Sequence, residues 1–451
     1  MPRILALLLC LVFVFALLKI DNNRFKPQSL ASWLPTIWLI YCASKPLAAW
    51  FHTGYVNYLN PDVSEGSYLD RMFLTILIGM GYLVLARRKI NWSQIIAENK
   101  WVFILFLYLF ISIAWSEYTY ISFKRFGKAT GSIVMSLIIL TGPSPLDDIK
   151  MILRKITNIL IPFSMLLAKY FPDYGVTWGR YSGIGMWVGV ASSKNSLGAL
   201  CMIAVIFLIW DLVERWKRNK EHPANSFKYE MIGQIVVLGL ALILLKGKGG
   251  AYSATSLGVL FIGLISFFIL QLLKTRPQFR ELFFLSSIVI AFAFLLIWGI
   301  YSMNPVEAVI SLTGRDTTLT GRTDGIWEPL FEIAMNNPIL GVGFGGFWVT
   351  YMVFPKMVIN EAHNGYLDVF LELGLVGLIL LFFLIFSFLK IAIKNYKYDV
   401  NWGSLQITII IMALVHNITE SSLFKPALFI WNVLLFIVIS ASLTKNVEIK
   451  K

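Results

Sequence analysis

Residues Leu373–Ile393 read LGLVGLILLFFLIFSFLKIAI, with Lys390 as the one charged side chain, and this stretch decides the fold class. Its length matches the roughly 20 mainly apolar residues a helix needs to cross a bilayer. Comparable runs recur at Ile4–Leu18, Phe73–Ala86, Val102–Ala114, Leu197–Trp210, Ile232–Leu245, Ser256–Leu273, Leu282–Ile300, Ile407–Val415 and Leu428–Leu443. Ala31–Phe51, Thr130–Leu140 with its flanks and Ile152–Tyr170 bring the candidates to about thirteen. Of the 451 residues 57% are hydrophobic and only 14% charged, against about 25% charged in a soluble protein. Without water in the bilayer core, helices are the economical way to satisfy so much backbone. The expectation is an all-α polytopic integral membrane protein, one transmembrane domain over residues 1–451 with about 12–13 spans. The first run starts at Arg3, but Leu17-Leu18-Lys19-Ile20-Asp21 offers no small-residue cleavage site, so it reads as a retained span.

The net charge of +14 does not indicate nucleic acid, because the basic residues are scattered over short loops. Arg87-Arg88-Lys89, the run Arg215–Lys220, Lys274/Arg276/Arg280 and Lys390/Lys394/Lys397 each lie just outside an apolar run. That pattern assigns these loops to the cytoplasm. Alternation then puts 51–70, 116–128, 172–194, 246–250, 301–365 and 416–425 on the other side. Thirteen spans leave the N-terminus outside, and twelve place both ends inside. Cys10, Cys42 and Cys201 have no close pairing and read as small core residues, implying neither a disulfide nor a metal framework.

The polar groups concentrate in Ser311–Asp368, SLTGRDTTLTGRTDGIW…NNPILGVGFGGFW…EAHNGYLD. Loop 301–365 is far longer than ordinary connections, which marks it as functional. It carries Trp327, Phe331, Phe344, Phe347 and Trp348, so it is folded. Ile326/Trp327, Leu330/Phe331 and Ala334/Met335 fall at helical spacing, with Thr323 as N-cap and Asn336-Asn337-Pro338 as the stop. Pro329 predicts a late start or a kink. A short amphipathic helix on the membrane surface fits.

Arg315 and Arg322, seven residues apart and each following a glycine, offer two planar forks for phosphate oxygens. Gly341-Val-Gly343-Phe-Gly345-Gly346 matches a dinucleotide fingerprint literally, but no strand–turn–helix context surrounds it. These glycines predict a tight turn with positive φ. His363, in Glu361-Ala-His363-Asn364-Gly-Tyr366, precedes a span, and imidazole is the side chain best suited to take a proton near neutral pH. His52, His222 and His416 lack such company. No metal-ligand spacing stands out. Arg125, Arg180, Lys194, Lys246 and Lys248 face away from the cytoplasm, against the charge rule, and an anionic lipid-linked substrate would supply their partner. Glu420 adds a carboxylate that could orient an arginine or bind sugar hydroxyls. The two halves show no repeat, which weakens a transporter reading.

Together these segments resemble the O-antigen ligase/polymerase superfamily of bacterial glycosyltransferases. The similarity runs through Trp115-Ser116, Ser193-Lys194-Asn195-Ser196-Leu197-Gly198, Ser253-Ala254-Thr255-Ser256, the Gly314–Trp327 motif, Asn337-Pro338…Gly341-Val342-Gly343-Phe344, Ala362-His363-Asn364-Gly365-Tyr366-Leu367 and Asn417…Glu420-Ser421. The resemblance implies a GT-C-like membrane enzyme with a large periplasmic loop, in the bacterial inner (plasma) membrane. It implies an undecaprenyl-diphosphate-linked glycan as donor, transferred to a sugar hydroxyl with neither metal nor cofactor. It carries the diphosphate grip onto Arg322, the base or phosphate-orienting role onto His363, and substrate contact onto the motif residues Trp327, Asn364 and Tyr366. Arg315 and the Ser-Lys-Asn stretch match the polymerase-like branch, typified by exopolysaccharide polymerases. The ligase-type family places a basic residue near the 246–255 junction, where Lys246 and Lys248 are the candidates. The implied partners are the lipid-linked glycan donor and acceptor, membrane lipids and a chain-length regulator. A polysaccharide polymerase is the first expectation, a ligase acting on lipid A-core or protein the second, and a lipid-linked-sugar transporter the third.

Overall fold

The computed structural model describes residues 1–25, 29–51, 67–178, 183–249, 251–275, 323–349, 352–354, 357–440 and 442. The run Leu282–Ile300, Arg180, Arg315 and Arg322 lie outside the described residues. Fifteen α-helices of five residues or more carry the described fold, beside a single four-residue turn at Pro172–Gly175. They are α1 Arg3–Arg24, α2 Trp33–Ala43, α3 Leu47–Phe51, α4 Tyr68–Ala86, α5 Trp92–Glu98, α6 Lys100–Ser112, α7 Thr119–Leu140, α8 Pro145–Tyr170, α9 Lys194–Glu221, α10 Phe227–Lys246, α11 Ala254–Leu272, α12 Glu328–Ala334, α13 Gly365–Tyr398, α14 Val400–Thr419 and α15 Phe429–Ile439. Two short antiparallel hairpins, Val176–Trp178 with Gly185–Trp187 and Met352–Phe354 with Met357–Ile359, decorate one rim. The chain is an all-α polytopic membrane protein. Among the described residues eight helices are long and apolar enough to cross a bilayer, or nine if α5 and α6, bent by 90°, form one span.

Burial sorts the spans into a centre and a periphery. In α8, α9 and α14, 83%, 78% and 72% of the apolar window is buried inside the protein, against 22% in α1 and 28% in α4. The outer helices turn Ile4, Leu8, Phe15, Ile76 and Leu83 outward, as lipid-facing surfaces should. At the centre sits the short α15, buried along its whole length, where Asn432 accepts the Trp38 indole N–H at 2.7 Å. Cys42 and Cys201 are buried, consistent with small core residues.

A buried ionic network ties four helices together near the rim carrying Arg215–Lys220. Arg215 pairs with Asp211 at 2.7 Å, with Asp21 of α1 at 2.5 Å and with Glu230 of α10 at 3.5 Å. Arg154 of α8 pairs with Asp211 at 2.6 Å and stacks its guanidinium 3.7 Å from the Phe25 ring centroid. Charges this deep survive only when paired, and removing one partner costs far more than the intact pair gains.

The feature that positions the opposite rim is a break in α13. Gly374 has φ 62° and ψ −161° inside the helix, so the backbone groups around it lose their helical partners. The glycine loop 338–346 replaces them. Leu375 and Val376 donate to the carbonyls of Pro338 and Ile339 at 2.8 and 3.1 Å, while Val342 and Gly343 donate to those of Leu371 and Glu372 at 3.1 and 2.8 Å. The sequence reading of a tight positive-φ turn holds: Gly341, Gly343 and Gly345 have φ of 66°, 94° and 67°. The loop is more than a turn, because it completes a broken span. A Cβ on Gly341 would stand 2.4 Å from the Glu372 backbone, and one on Gly374 2.3 Å from the Ile339 oxygen.

The amphipathic segment of the loop also forms, with the late start that Pro329 predicts. Thr323–Trp327 is a π-helical turn, and α12 opens at Glu328 with Pro329 in its first turn and closes at Ala334. Ile326, Leu330 and Ala334 are its buried face, packed with Trp348, Ile359, Ala362, Leu367 and Leu371 into a core beneath the rim.

The break makes a simple prediction. Gly374→Ala should lower stability by about 2 kcal/mol or more, because it adds a clash to a positive-φ strain. Gly239→Ala, where a Cβ meets nothing within 4 Å, should be neutral or stabilising by up to about 1 kcal/mol. Thermal unfolding of both variants in detergent checks this, and equal losses would contradict it.

Candidate functional site

The rim above the glycine loop gathers groups that are distant in sequence. His363 sits on the loop that leads into α13, in the left-handed region at φ 52°. That backbone is costly for a non-glycine residue, and such strain persists only where the surroundings enforce it. The enforcement is visible on every side. The Trp327 indole donates to the Ala362 carbonyl at 2.9 Å. The Ala362 N–H donates to Asp368 Oδ1 at 3.0 Å. Gly365 donates to the Glu420 carbonyl at 3.1 Å, and a Cβ there would lie 2.2 Å from Asn417 Oδ1.

The imidazole is 29% exposed, with Nδ1 3.1 Å from Glu361 Oε1 and 3.8 Å from Glu420 Oε2. Glu361 reaches Lys425 Nζ through its other oxygen at 3.0 Å, and Lys425 is 2.9 Å from Asp368 Oδ2. Asp368 Oδ1 accepts the Trp348 indole N–H at 2.9 Å, and Glu420 Oε1 accepts from the Asn195 amide at 2.8 Å. Burial raises the proton affinity of Glu361, but Lys425 and His363 outweigh it and hold the carboxyl below the usual range. Burial likewise disfavours the Lys425 ammonium, yet Asp368 and Glu361 outweigh it and hold the group above an ordinary lysine. Both members of the Glu361–Lys425 pair are therefore charged near neutral pH.

The predicted site residues divide into three groups. His363 and Glu420 come together, joined by Asn195 of the Ser-Lys-Asn stretch. Trp327, Asn364, Tyr366 and Arg125 surround them, with side chains engaged in building the rim. Asn364 caps α13 by accepting from Tyr366 and Leu367 at 3.0 and 3.1 Å, and Tyr366 donates to the Leu414 carbonyl at 2.9 Å. Arg125 donates to the carbonyls of Gly345 and Trp348 at 2.7 and 2.9 Å, clamping the glycine loop. Lys194, at the start of α9, is half-buried, while Lys246 and Lys248 are exposed. Among the described residues none of these lysines makes an ion pair with the His363 cluster. Arg180, Arg315 and Arg322 lie outside the described residues.

Sequence reasoning missed Glu361, Asp368 and Lys425 as members of the site. A signal for Lys425 existed: it is a basic residue in a loop assigned away from the cytoplasm, and the charge rule that flagged Lys194 applies to it equally. His416 also has more company than its sequence surroundings indicate. It is buried one turn before Glu420, within electrostatic reach of Glu420 and Glu361, and neither ring nitrogen has a hydrogen-bond partner among the described residues.

Chemically the arrangement is an imidazole between two carboxylates. Among the described residues, Glu361, Glu420 and Asp368 are the acids of this cluster and Lys425 is the cation paired with two of them. The same three donors, Glu361, His363 and Glu420, lie within 4.8 Å of one another, close enough to bracket a cation. Lys425 and Asn195, however, already occupy one oxygen of each carboxylate.

A sequence model of the family described as O-antigen ligase matches residues 234–382, which include the latter part of α10, α11, α12, the glycine loop, His363 and the break in α13. The exopolysaccharide production protein ExoQ of Rhizobium meliloti is 25% identical over 298 residues, 63% of this chain and 63% of that protein. The chain thus spans just under two thirds of this curated relative.

The cap that starts α13 can be weighed directly. Asn364→Ala should cost about 1 kcal/mol of stability, read as a lower unfolding temperature in detergent. Asn364→Asp, which keeps the accepting oxygen, should recover most of it.

Proposed function

Because this chain belongs to the O-antigen ligase/polymerase superfamily, we propose that it is a membrane glycosyltransferase acting on an undecaprenyl-diphosphate-linked glycan, with polymerisation of surface polysaccharide as its reaction. The observation that carries the proposal is the His363 imidazole, held at a membrane rim by Glu361 with Glu420 beside it. A transferase of this kind must remove a proton from an acceptor hydroxyl while a diphosphate leaves the anomeric carbon. Glu361 faces Nδ1 at 3.1 Å, and in this reading Nε2 is the atom that takes the proton of the acceptor hydroxyl. As the acceptor oxygen bonds to the anomeric carbon, its proton passes to Nε2 and the C–O bond to the diphosphate breaks. Attack from the face opposite the leaving group inverts the centre. The imidazolium is then stabilised by Glu361 and Glu420, as a carboxylate stabilises a catalytic histidine elsewhere.

The carboxylate facing Nδ1 supports the base role for His363, because an acid at that nitrogen orients the ring and stabilises the proton it takes. The diphosphate grip falls to Arg315 and Arg322, whose forks suit charge developing on the bridging oxygen. A loss of about 4 kcal/mol there slows transfer nearly a thousandfold. Lys194, Lys246 and Lys248 are assigned to longer-range attraction of the anionic donor. The site is assigned to the periplasmic face of the bacterial inner membrane, opposite the basic loops, and the chemistry needs no metal because a diphosphate is already a good leaving group. Membrane lipids and a chain-length regulator are the expected partners besides donor and acceptor.

The relative's role in exopolysaccharide production supports polymerisation, and the family description favours the second reading, a ligase that moves finished glycan to lipid A-core or protein. The two share donor chemistry and differ in acceptor. Deleting the gene separates them: single lipid-linked repeats should accumulate if it is a polymerase, whereas full-length unattached polymer identifies a ligase. Polymer formation by the purified protein without an energy source excludes a pure transporter.

The assigned roles are tested by substitution. His363→Ala should abolish transfer while accumulation in the membrane stays at the wild-type level. Arg322→Lys should lose most activity, because the charge remains but the fork is gone. Polymer of normal length from either variant would overturn the corresponding role.

A further inference from the structure

Two carboxylates approach the same ring nitrogen, and something must decide which one holds it. Glu361 and Glu420 stand 3.1 and 3.8 Å from His363 Nδ1. Glu420 is restrained by Asn195. Glu361 lies on a loop and is 28% exposed on its side chain, so a carboxylate held through one oxygen alone would be free to rotate away. Its second oxygen is instead held by Lys425 Nζ at 3.0 Å. Lys425 in turn is fixed at 2.9 Å by Asp368, and Asp368 is locked through its other oxygen to Trp348 and the Ala362 N–H. The result is one chain of contacts, Asp368–Lys425–Glu361–His363. It joins the first turn of α13 to the histidine loop by way of the segment after α14. Phe424, beside the lysine, has φ 56°, a left-handed turn that sets the lysine's approach.

We propose that Lys425 is a positioning residue of the transfer site, a strap that fixes Glu361 as the carboxylate partner of His363 and keeps the ring aimed at the acceptor. The proposal rests on the reading of His363 as the base. The charged and titratable groups that face the strap among the described residues can be named. Glu361 faces His363 and Lys425 and acts electrostatically on His416; His363 faces Glu361 and Glu420; Lys425 faces Asp368 and Glu361, with Glu372 beyond. Two acids engage the ammonium, so Lys425 is placed to act through Glu361 and not on the substrate. Without it, Glu361 would lose a charge-assisted bond and the cation that holds it beside Asp368. A base displaced by a fraction of an ångström loses rate far out of proportion to the displacement.

The test uses the full-length protein in liposomes, with the lipid-diphosphate oligosaccharide extracted from a strain lacking this gene as the probe. Lys425→Met should lower kcat by about tenfold to a hundredfold with KM within about twofold, and Lys425→Arg should recover most of the loss. In a Glu361→Gln background Lys425→Met should add less than about a twofold further loss, because the strap then has no carboxylate to hold. Multiplying losses in the double variant, or a raised KM with unchanged kcat, would overturn the proposal; the second outcome would make Lys425 a substrate contact. If Lys425→Met does not accumulate, Asp368→Asn removes the charge that fixes the lysine and is judged by the same cycle. Wild-type transfer by His363→Ala would defeat the base reading itself. Independent losses with an inactive His363→Ala would defeat only the strap.

Discussion

The constraint on which the rest of this structure depends is the satisfaction of backbone groups inside a membrane. A span broken at Gly374 leaves N–H and C=O groups that cannot find water, and each unmet group costs more than an ordinary hydrogen bond returns. The glycine loop answers that demand by inserting its own backbone into the break. Only residues without a Cβ come this close, which is why Gly341 and Gly374 lie in mutual contact range at positive φ. Once docked, the loop sets the level of the rim. Arg125 clamps it from α7, Ser112 of α6 meets the Phe344 N–H at 3.0 Å, and Trp348 reaches Asp368 in the first turn of α13.

From that platform the site inherits its rigidity. The His363 backbone is strained, and the strain is sustained by contacts from four segments: the π-helical turn at Trp327, the capped start of α13, the end of α14 at Glu420, and the loop at Lys425. A site built this way can be polar without being soft, because Glu361, Glu420 and Asp368 each meet a named partner. The opposite end of the bundle follows the same logic with different residues. There Arg154 and Arg215 are enclosed by Asp21, Asp211 and Glu230, so both ends of the membrane domain are fastened by charges that tolerate no missing partner.

How much of this was legible in the sequence varies with the range of the interaction. Periodicity gave the amphipathic segment, and Pro329 announced its late start, since a ring that lacks an N–H fits the first turn and no later one. The glycines pointed to positive φ, but the partner that makes the turn necessary, a break some thirty residues later, has no local signature beyond one more glycine in an apolar run. His363 stood out by the polar motif around it, and Glu420 by its place at a helix end. Lys425 and Asp368 did not, because a lysine in a loop and an aspartate in a first helical turn each look solvated until the chain folds. Arg125, Asn364 and Tyr366 were legible as polar groups, but their bonds to backbone, from the Arg125 guanidinium, the Asn364 amide oxygen and the Tyr366 hydroxyl, were not.

By itself the sequence determined that the chain is a bundle of membrane-spanning helices and that its polar chemistry gathers at one rim, because both follow from hydrophobic length and charge placement, which are properties of neighbouring residues. Only the tertiary structure decided which carboxylates meet the imidazole, that a lysine from beyond α14 secures one of them, and that the glycine motif completes a broken helix. Those outcomes depend on residues several dozen positions apart arriving within 4 Å of one another, and no local pattern encodes that distance.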